Sequence, residues 1–199
     1  YGPEPLQFGE LRLPEGPGPH PVAVLIHGGC WLAAYDLAYV SALAEALAGA
    51  GVASWSVEYR RVGDEGGGWP GTFSDVAAAA DFVRRLAPQH GLDPLRVVAI
   101  GHSAGGVVAR FALVRGGAGQ VDRLITIAAP HVGTARALEA LDATHDFGPI
   151  GWLKDFFGGN LYHTVKASAP LLADLAPPVP GSLLYWLNAQ PHPDVDYVS

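Results

Sequence analysis

The sequence predicts an α/β domain built on a mostly parallel, doubly wound sheet with helices on both faces. Apolar runs rich in β-branched and aromatic residues alternate with helical patterns, which is how such a sheet is written into a chain. The run VAVLI at 22–26 holds no polar residue, as a strand covered on both faces requires. Length agrees: 199 residues fit one domain and are short for two, and an apolar content of 49% supports a sizeable core.

In chain order, LQFGELRL (6–13) reads as an opening strand and PEGPGPHP (14–21) as a turn before the buried strand at 22–26. Over DLAYVSALAEALAGAG (36–51), Leu37, Val40, Leu43, Ala44 and Leu47 share one helical face, and glycines end the helix. VASWSVEY (52–59) is the next strand and RRVGDEGGGWPG (60–71) a polar loop. Ser74 is placed as the N-cap of a helix bearing Val76, Ala79, Ala80, Val83 and Leu86, with Pro88 ending it. RVVAI (96–100) is a strand that leads into a helix running to about Arg115, and LITIAA (124–129) is a further strand. Residues 143–181 show no clean period and read as a lid-like insertion, followed by a short helix in SLLYWLNA (182–189) and a starting strand in VDYVS (195–199). No repeat, low-complexity tract or linker divides the chain, so 1–199 reads as one domain.

Composition narrows the function classes. Twelve Lys and Arg against nineteen Asp and Glu leave a net charge of −7, and no basic stripe could follow a phosphate backbone, so no nucleic-acid partner is expected. Cys30 is the only cysteine, which excludes an intrachain disulfide and a cysteine-based metal cluster. No His-Glu-x-x-His or spaced His/Asp cluster occurs, so neither metal nor cofactor is expected. No apolar run reaches the ~20 residues of a membrane helix and no signal-like segment opens the chain, which therefore reads as soluble, with its compartment open. A chain that begins at Tyr1 and lacks methionine reads as processed, excised or engineered.

The chemistry concentrates at Gly101-His102-Ser103-Ala104-Gly105, a Gly-x-Ser-x-Gly pattern. In such a nucleophile elbow the chain reverses between strand and helix, the serine backbone is strained, and the residues two positions away must be small because they nearly touch. With 26 glycines the pattern alone could arise by chance, so context decides: it follows an apolar strand and opens a helix. The helix N-terminus also sets backbone N–H groups and a positive dipole end beside the hydroxyl. A serine attacking a carbonyl needs donors for the oxyanion, here the N–H of Ala104 and those of a glycine-rich loop after an earlier strand. LIHGGCW (25–31) is such a loop, where Gly28 and Gly29 let N–H groups turn inward without Cβ clashes.

These residues resemble the α/β-hydrolase superfamily. Residues 1 to about 115 are similar to small esterases, and related formamidases, that carry His-Gly-Gly-x-Trp, here HGGCW, and a Tyr-Arg after the next strand, here Tyr59-Arg60. By that resemblance Gly29 and Cys30 donate oxyanion N–H groups and Trp31 sits near the acyl pocket. Residues 101–199 look instead like bacterial lipases, through GHSAGGVVARFAL, VDRLITIAAPHVGT, the lid-like segment and LNAQPHPDVDYVS, which gives the chain the look of a natural mosaic or a chimera.

In this fold the order is Ser, acid, His. After Ser103 come His131, His145, His163 and His192. The resemblance makes His131 part of a structural loop, puts His145 and His163 in the lid-like segment, and places the acid after the strand that begins DYVS. Acid and base are therefore expected beyond Ser199, with a pair such as Asp174 and His192 as the unorthodox alternative. The leading expectation is a serine hydrolase of carboxylic esters, lipids included, with Ser103 as nucleophile, Gly29, Cys30 and Ala104 as oxyanion donors and Trp31 at the substrate. The alternatives are an amide or formamide hydrolase and a catalytically incomplete hydrolase-fold domain, a fragment, chimera or binding module.

Overall fold

The structure, a computed structural model, describes residues 1–29, 35–115, 119, 121–135, 137, 139, 173, 175–191 and 195–199. Among these, β1 (Gly9–Arg12), β2 (His20–Ile26), β3 (Ala53–Val57), β4 (Leu92–His102), β5 (Val121–Ile127) and β6 (Asp196–Val198) form one sheet in the order β1-β3-β2-β4-β5-β6. β2 pairs in parallel with β3 and β4, β4 with β5, and β5 with β6, while β1 runs antiparallel to β3 at one edge. The expected strands at 22–26, 52–59, 96–100 and 124–129 are thus parallel neighbours.

Alternation along β2 sorts the core into two layers. Val22, Val24 and Ile26 pack with Val76, Val107 and Val108, and Ala23 and Leu25 pack on the other face with Val40 and Ala44. Those partners come from α2 (Gly71–Asp81) and α4 (Ala104–Val114) on one side and from a 3-10 turn (Leu37–Val40) and α1 (Ser41–Gly49) on the other. The expected helical face at 37–47 therefore meets the sheet, but its first turn is a 3-10 turn, capped by the Asp36 carboxylate accepting from the Ala38 N–H at 3.0 Å.

Two local expectations are corrected. Ser74 does not cap its helix: α2 begins at Gly71, and the Ser74 hydroxyl donates back to the Pro70 carbonyl at 3.1 Å. The start is fixed instead by Thr72, whose hydroxyl accepts from the Gly68 N–H and donates to the Arg60 carbonyl, a tertiary contact invisible to a capping rule. Pro88 does not end the helix either. The helical stretch breaks at Phe82, and Pro88 lies inside α3 (Val83–His90), which stops at Gly91 in the left-handed region with φ 62°.

Helix α4 is apolar except for Arg110, with nine of its eleven residues buried, because it lies between the sheet, α2 and α5 (Leu183–Ala189). Burying Val107, Val108 and Phe111 contributes about 1.5–3 kcal/mol each before conformational entropy is counted. Glycine sets how closely the helix approaches. A Cβ on Gly105 would lie 2.3 Å from the His27 carbonyl oxygen and 2.5 Å from that of Ile26, and one on Gly101 would lie 2.5 Å from Gly106 Cα.

Because those neighbours are backbone, Gly105→Ala should lower the urea midpoint by an amount equivalent to about 1–3 kcal/mol. Gly49→Ala, at a helical position with nothing near its missing Cβ, should raise stability by about 0.4–1 kcal/mol.

Candidate active site

One row of the sheet sets the site. Ile26 is in register with Val57 on one side and Gly101 on the other, so the segments leaving β2, β3 and β4 begin level with each other at the carboxyl ends. The connection from β2 passes over one face of the sheet through α1, and that from β4 over the other through α4. A crevice between the carboxyl ends of adjacent strands follows from that divergence.

Ser103 occupies the end of this crevice above β4, at the strand-to-helix turn. Its φ of 53° and ψ of −127° match the first central residue of a type II′ turn, a position that favours glycine. A non-glycine residue there stores about 1–3 kcal/mol of strain, held by the Ser103 N–H bond to the Ile127 carbonyl at 2.8 Å and by the Gly106 N–H bond to the Ser103 carbonyl at 3.0 Å. A serine at the N-cap ordinarily turns its hydroxyl onto the first helical N–H groups, and Ser103 makes no such bond. Its half-exposed side chain is left for other work.

Of the expected oxyanion donors, Ala104 is the first residue of α4 and is fully buried, and Gly29 stands at φ 111° in the loop after β2. Elbow and loop meet through Gly28, where a Cβ would lie 2.8 Å from the His102 carbonyl oxygen and 2.9 Å from Ser103 Cβ. Cys30 and Trp31 lie outside the described residues.

Glu58 holds this loop. It is 2% exposed and follows directly on β3. Its carboxylate accepts from the Tyr59 N–H at 3.0 Å and the Leu37 N–H at 3.1 Å, and it faces Arg61 Nη1 at 3.4 Å and His27 Nε2 at 3.3 Å. His27 is fully buried, donates from Nδ1 to the Gly28 carbonyl at 2.8 Å, and stacks on the Tyr59 ring at 4.3 Å. The Tyr59 hydroxyl donates to the His27 carbonyl at 2.8 Å. Motif reading passed over Glu58; the signal for it was a lone carboxylate directly after the fully buried strand ASWSV.

Residues 11–144 match the BD-FAE family. The chain belongs to the BD-FAE family. Over 119 residues it is 31% identical to "Probable isoprenylcysteine alpha-carbonyl methylesterase ICME" of Oryza sativa subsp. japonica, across 57% of this chain and 27% of the rice protein. Its fold is similar to that of "Bacterial Heroin Esterase", with a TM-score of 0.58 at 22% identity over 81% of this chain and 48% of that one. It is also similar to "Truncated form of carbohydrate esterase from gut microbiota", with a TM-score of 0.53 at 26% identity over 60% of this chain and 50% of that one. The chain thus spans about a quarter of the curated relative's length and about half of those structures. The α/β-hydrolase architecture expected from the elbow is the architecture of this BD-FAE chain.

The BD-FAE chain buries further polar groups. Asp75, 1% exposed, accepts from Arg60 at its backbone N–H (3.1 Å), Nε (2.8 Å) and Nη2 (2.7 Å) and from Gln7 Nε2 (2.7 Å). The Arg60 pKa is raised by that bond to Asp75. Tyr1, whose hydroxyl donates to the Glu58 carbonyl at 2.6 Å, has its phenol pKa raised by burial and then by the charges of Asp75 and Glu58. Arg110, buried in α4, donates to Asn188 Oδ1 at 2.7 Å and the Leu187 carbonyl at 3.3 Å, and burial lowers its pKa while Tyr197 opposes the shift.

His131 is tied into the same region: Nε2 lies 3.1 Å from Thr126 Oγ1 and 2.5 Å from the Tyr197 hydroxyl, and its carbonyl accepts from Asn188 Nδ2 at 2.8 Å. His145, His163, Asp174 and His192 lie outside the described residues, as does most of 143–181. Among the described residues, no group of three His, Cys, Asp or Glu is placed to hold a metal, and no helix is long and apolar enough to cross a membrane.

Glu58→Ala should lower unfolding free energy by about 3–5 kcal/mol in urea titrations, because it leaves two buried backbone N–H groups without their acceptor and removes one of the two carboxylates that face the buried Arg61. Asp36→Ala, which removes an exposed cap, should cost about 1 kcal/mol in the same measurement.

Proposed function

We propose that this chain is the nucleophile-bearing part of a serine hydrolase that cleaves carboxylic esters. The single observation that carries the reading is Ser103: a serine forced to φ 53° and ψ −127° between β4 and α4, with its hydroxyl withheld from the helix cap. The names of the matched relatives, all esterases, support the ester over other acyl substrates.

In this mechanism a base takes the Ser103 proton as Oγ bonds to the ester carbonyl carbon. The carbonyl oxygen becomes an oxyanion, received by the N–H groups of Ala104, Gly29 and Cys30 at the positive end of α4. Collapse expels the alkoxide, which takes the proton and leaves as alcohol. Water then attacks the acyl-serine by the reverse choreography, releasing the acid and restoring the hydroxyl. The resemblance to small esterases assigns Trp31 to the acyl group, and His192 and then His163 are the first bases to replace.

A second reading, an elbow retained without turnover, is favoured by His131, the histidine described after Ser103, whose Nε2 is engaged by Thr126 and Tyr197. One experiment separates the readings. A fluorophosphonate should label the peptide bearing Ser103, with no label in Ser103→Ala, and p-nitrophenyl acetate should turn over faster than the matching anilide. Turnover lowered on the order of 10⁶-fold by Ser103→Ala establishes a complete catalytic unit. Slow labelling with a residual rate that Ser103→Ala barely changes establishes the second reading. A label that persists in Ser103→Ala overturns the nucleophile assignment.

A further inference from the structure

At the far end of α4 the chain carries a second set of features that ester cleavage does not use. Trp69, Phe73, Phe111 and Trp186 form a continuous aromatic cluster, with ring centroids 5.1 Å apart for Trp69 and Phe111, 4.7 Å for Phe73 and Phe111, and 5.3 Å for Phe111 and Trp186. The cluster is not sealed: Trp69 is 61% exposed and Trp186 36%, while Phe111 between them is buried. A cavity of about 580 Å³ opens here, walled by Trp69, Phe111, Leu183, Trp186 and Arg115, and a smaller one of about 280 Å³ shares Trp69, Phe111 and Arg115. The larger volume lies within the usual range of roughly 300–1,000 Å³ for small-molecule sites.

Arg115 decides the chemistry. It stands four residues after Phe111, so both side chains project from the same face of α4, and both line the cavity. Among the described residues Arg115 makes no ion pair and no side-chain hydrogen bond, whereas Arg60, Arg61, Arg96 and Arg123 each hold a carboxylate. Among the described residues, no acidic residue lines either cavity. An exposed cation at the end of a helix needs no aromatic slot to oppose the helix dipole. A slot of three aromatic rings rimmed by one unengaged guanidinium matches a ligand with an apolar, ring-bearing body that ends in a carboxylate.

We propose that this slot is a binding site for an aryl-alkyl carboxylate, separate from the elbow. Helix α4 puts about 18 Å between Ser103 at its N-cap and Arg115 at its C-cap. A chain of net charge −7 repels anions at long range, so the affinity for a carboxylate depends on this local cation.

The test is calorimetric titration of the full chain with 4-phenylbutyrate and with its neutral counterpart 4-phenylbutanol. The carboxylate should bind one site roughly tenfold more tightly than the alcohol at low salt, and the preference should shrink as salt is added. Arg115→Gln, an exposed position whose replacement leaves the core intact, should abolish the preference and leave the alcohol's affinity unchanged. Trp186→Leu should weaken both ligands. Ser103→Ala should change neither, which separates this site from the elbow whatever Ser103 does. The proposal is overturned if neither ligand binds at millimolar concentration, if acid and alcohol bind equally, if the preference survives Arg115→Gln, or if binding is lost on blocking Ser103 with a phosphonate.

Discussion

Everything at the crevice depends on how closely helix α4 approaches the backbone of strands β2 and β4. Gly105 touches the carbonyls of Ile26 and His27, and Gly101 touches Gly106, contacts that no side chain could share. That approach leaves the chain too little room for a relaxed strand-to-helix turn, so the strain collects on the one residue between them, Ser103. It also brings the loop after β2 against the elbow through Gly28. Strained serine, buried helix and adjacent glycine loop are consequences of one packing distance.

A second constraint fixes the loops in place. Glu58 and Asp75 are carboxylates taken out of water, which is tolerable only when several donors converge on each. Some donors come from far along the chain, Leu37 for Glu58 and Gln7 and Arg60 for Asp75, and they join the neighbouring Tyr59 and Arg61 at Glu58. Each carboxylate thereby acts as a hub for loops that have little apolar surface of their own. His27, clamped between Glu58 and the Tyr59 ring, passes that order to the glycines facing Ser103. The polar interior of a BD-FAE chain is thus the support of its crevice.

The strand pattern was legible because its signal is local. An unbroken apolar run such as VAVLI states its own burial on both faces, and the alternation that splits Val22 and Val24 from Ala23 and Leu25 follows from the pleat. The elbow was legible for a similar reason: its steric demands fall on five consecutive residues. The start of α2 was not, since Thr72 is chosen over Ser74 by a carbonyl on Arg60, twelve positions earlier. Pro88 was read as a terminator, but near a helix end it interrupts little, and Gly91 supplies the stop.

The sequence by itself therefore determined the sheet class, the runs that become its parallel strands and the place of the serine, because each rests on contacts between near neighbours or on periodicity along one element. Only the tertiary structure decided which polar groups are buried together: Glu58 with His27 and Arg61, Asp75 with Arg60 and Gln7, and Arg110 with Asn188. It also decided that Trp69, Phe111 and Trp186, spread over more than a hundred positions, share one slot beside Arg115. The physical reason is the same in each case. A buried charge or an exposed ring acquires its meaning from partners at long sequence separation, and those partners are chosen by how the layers pack.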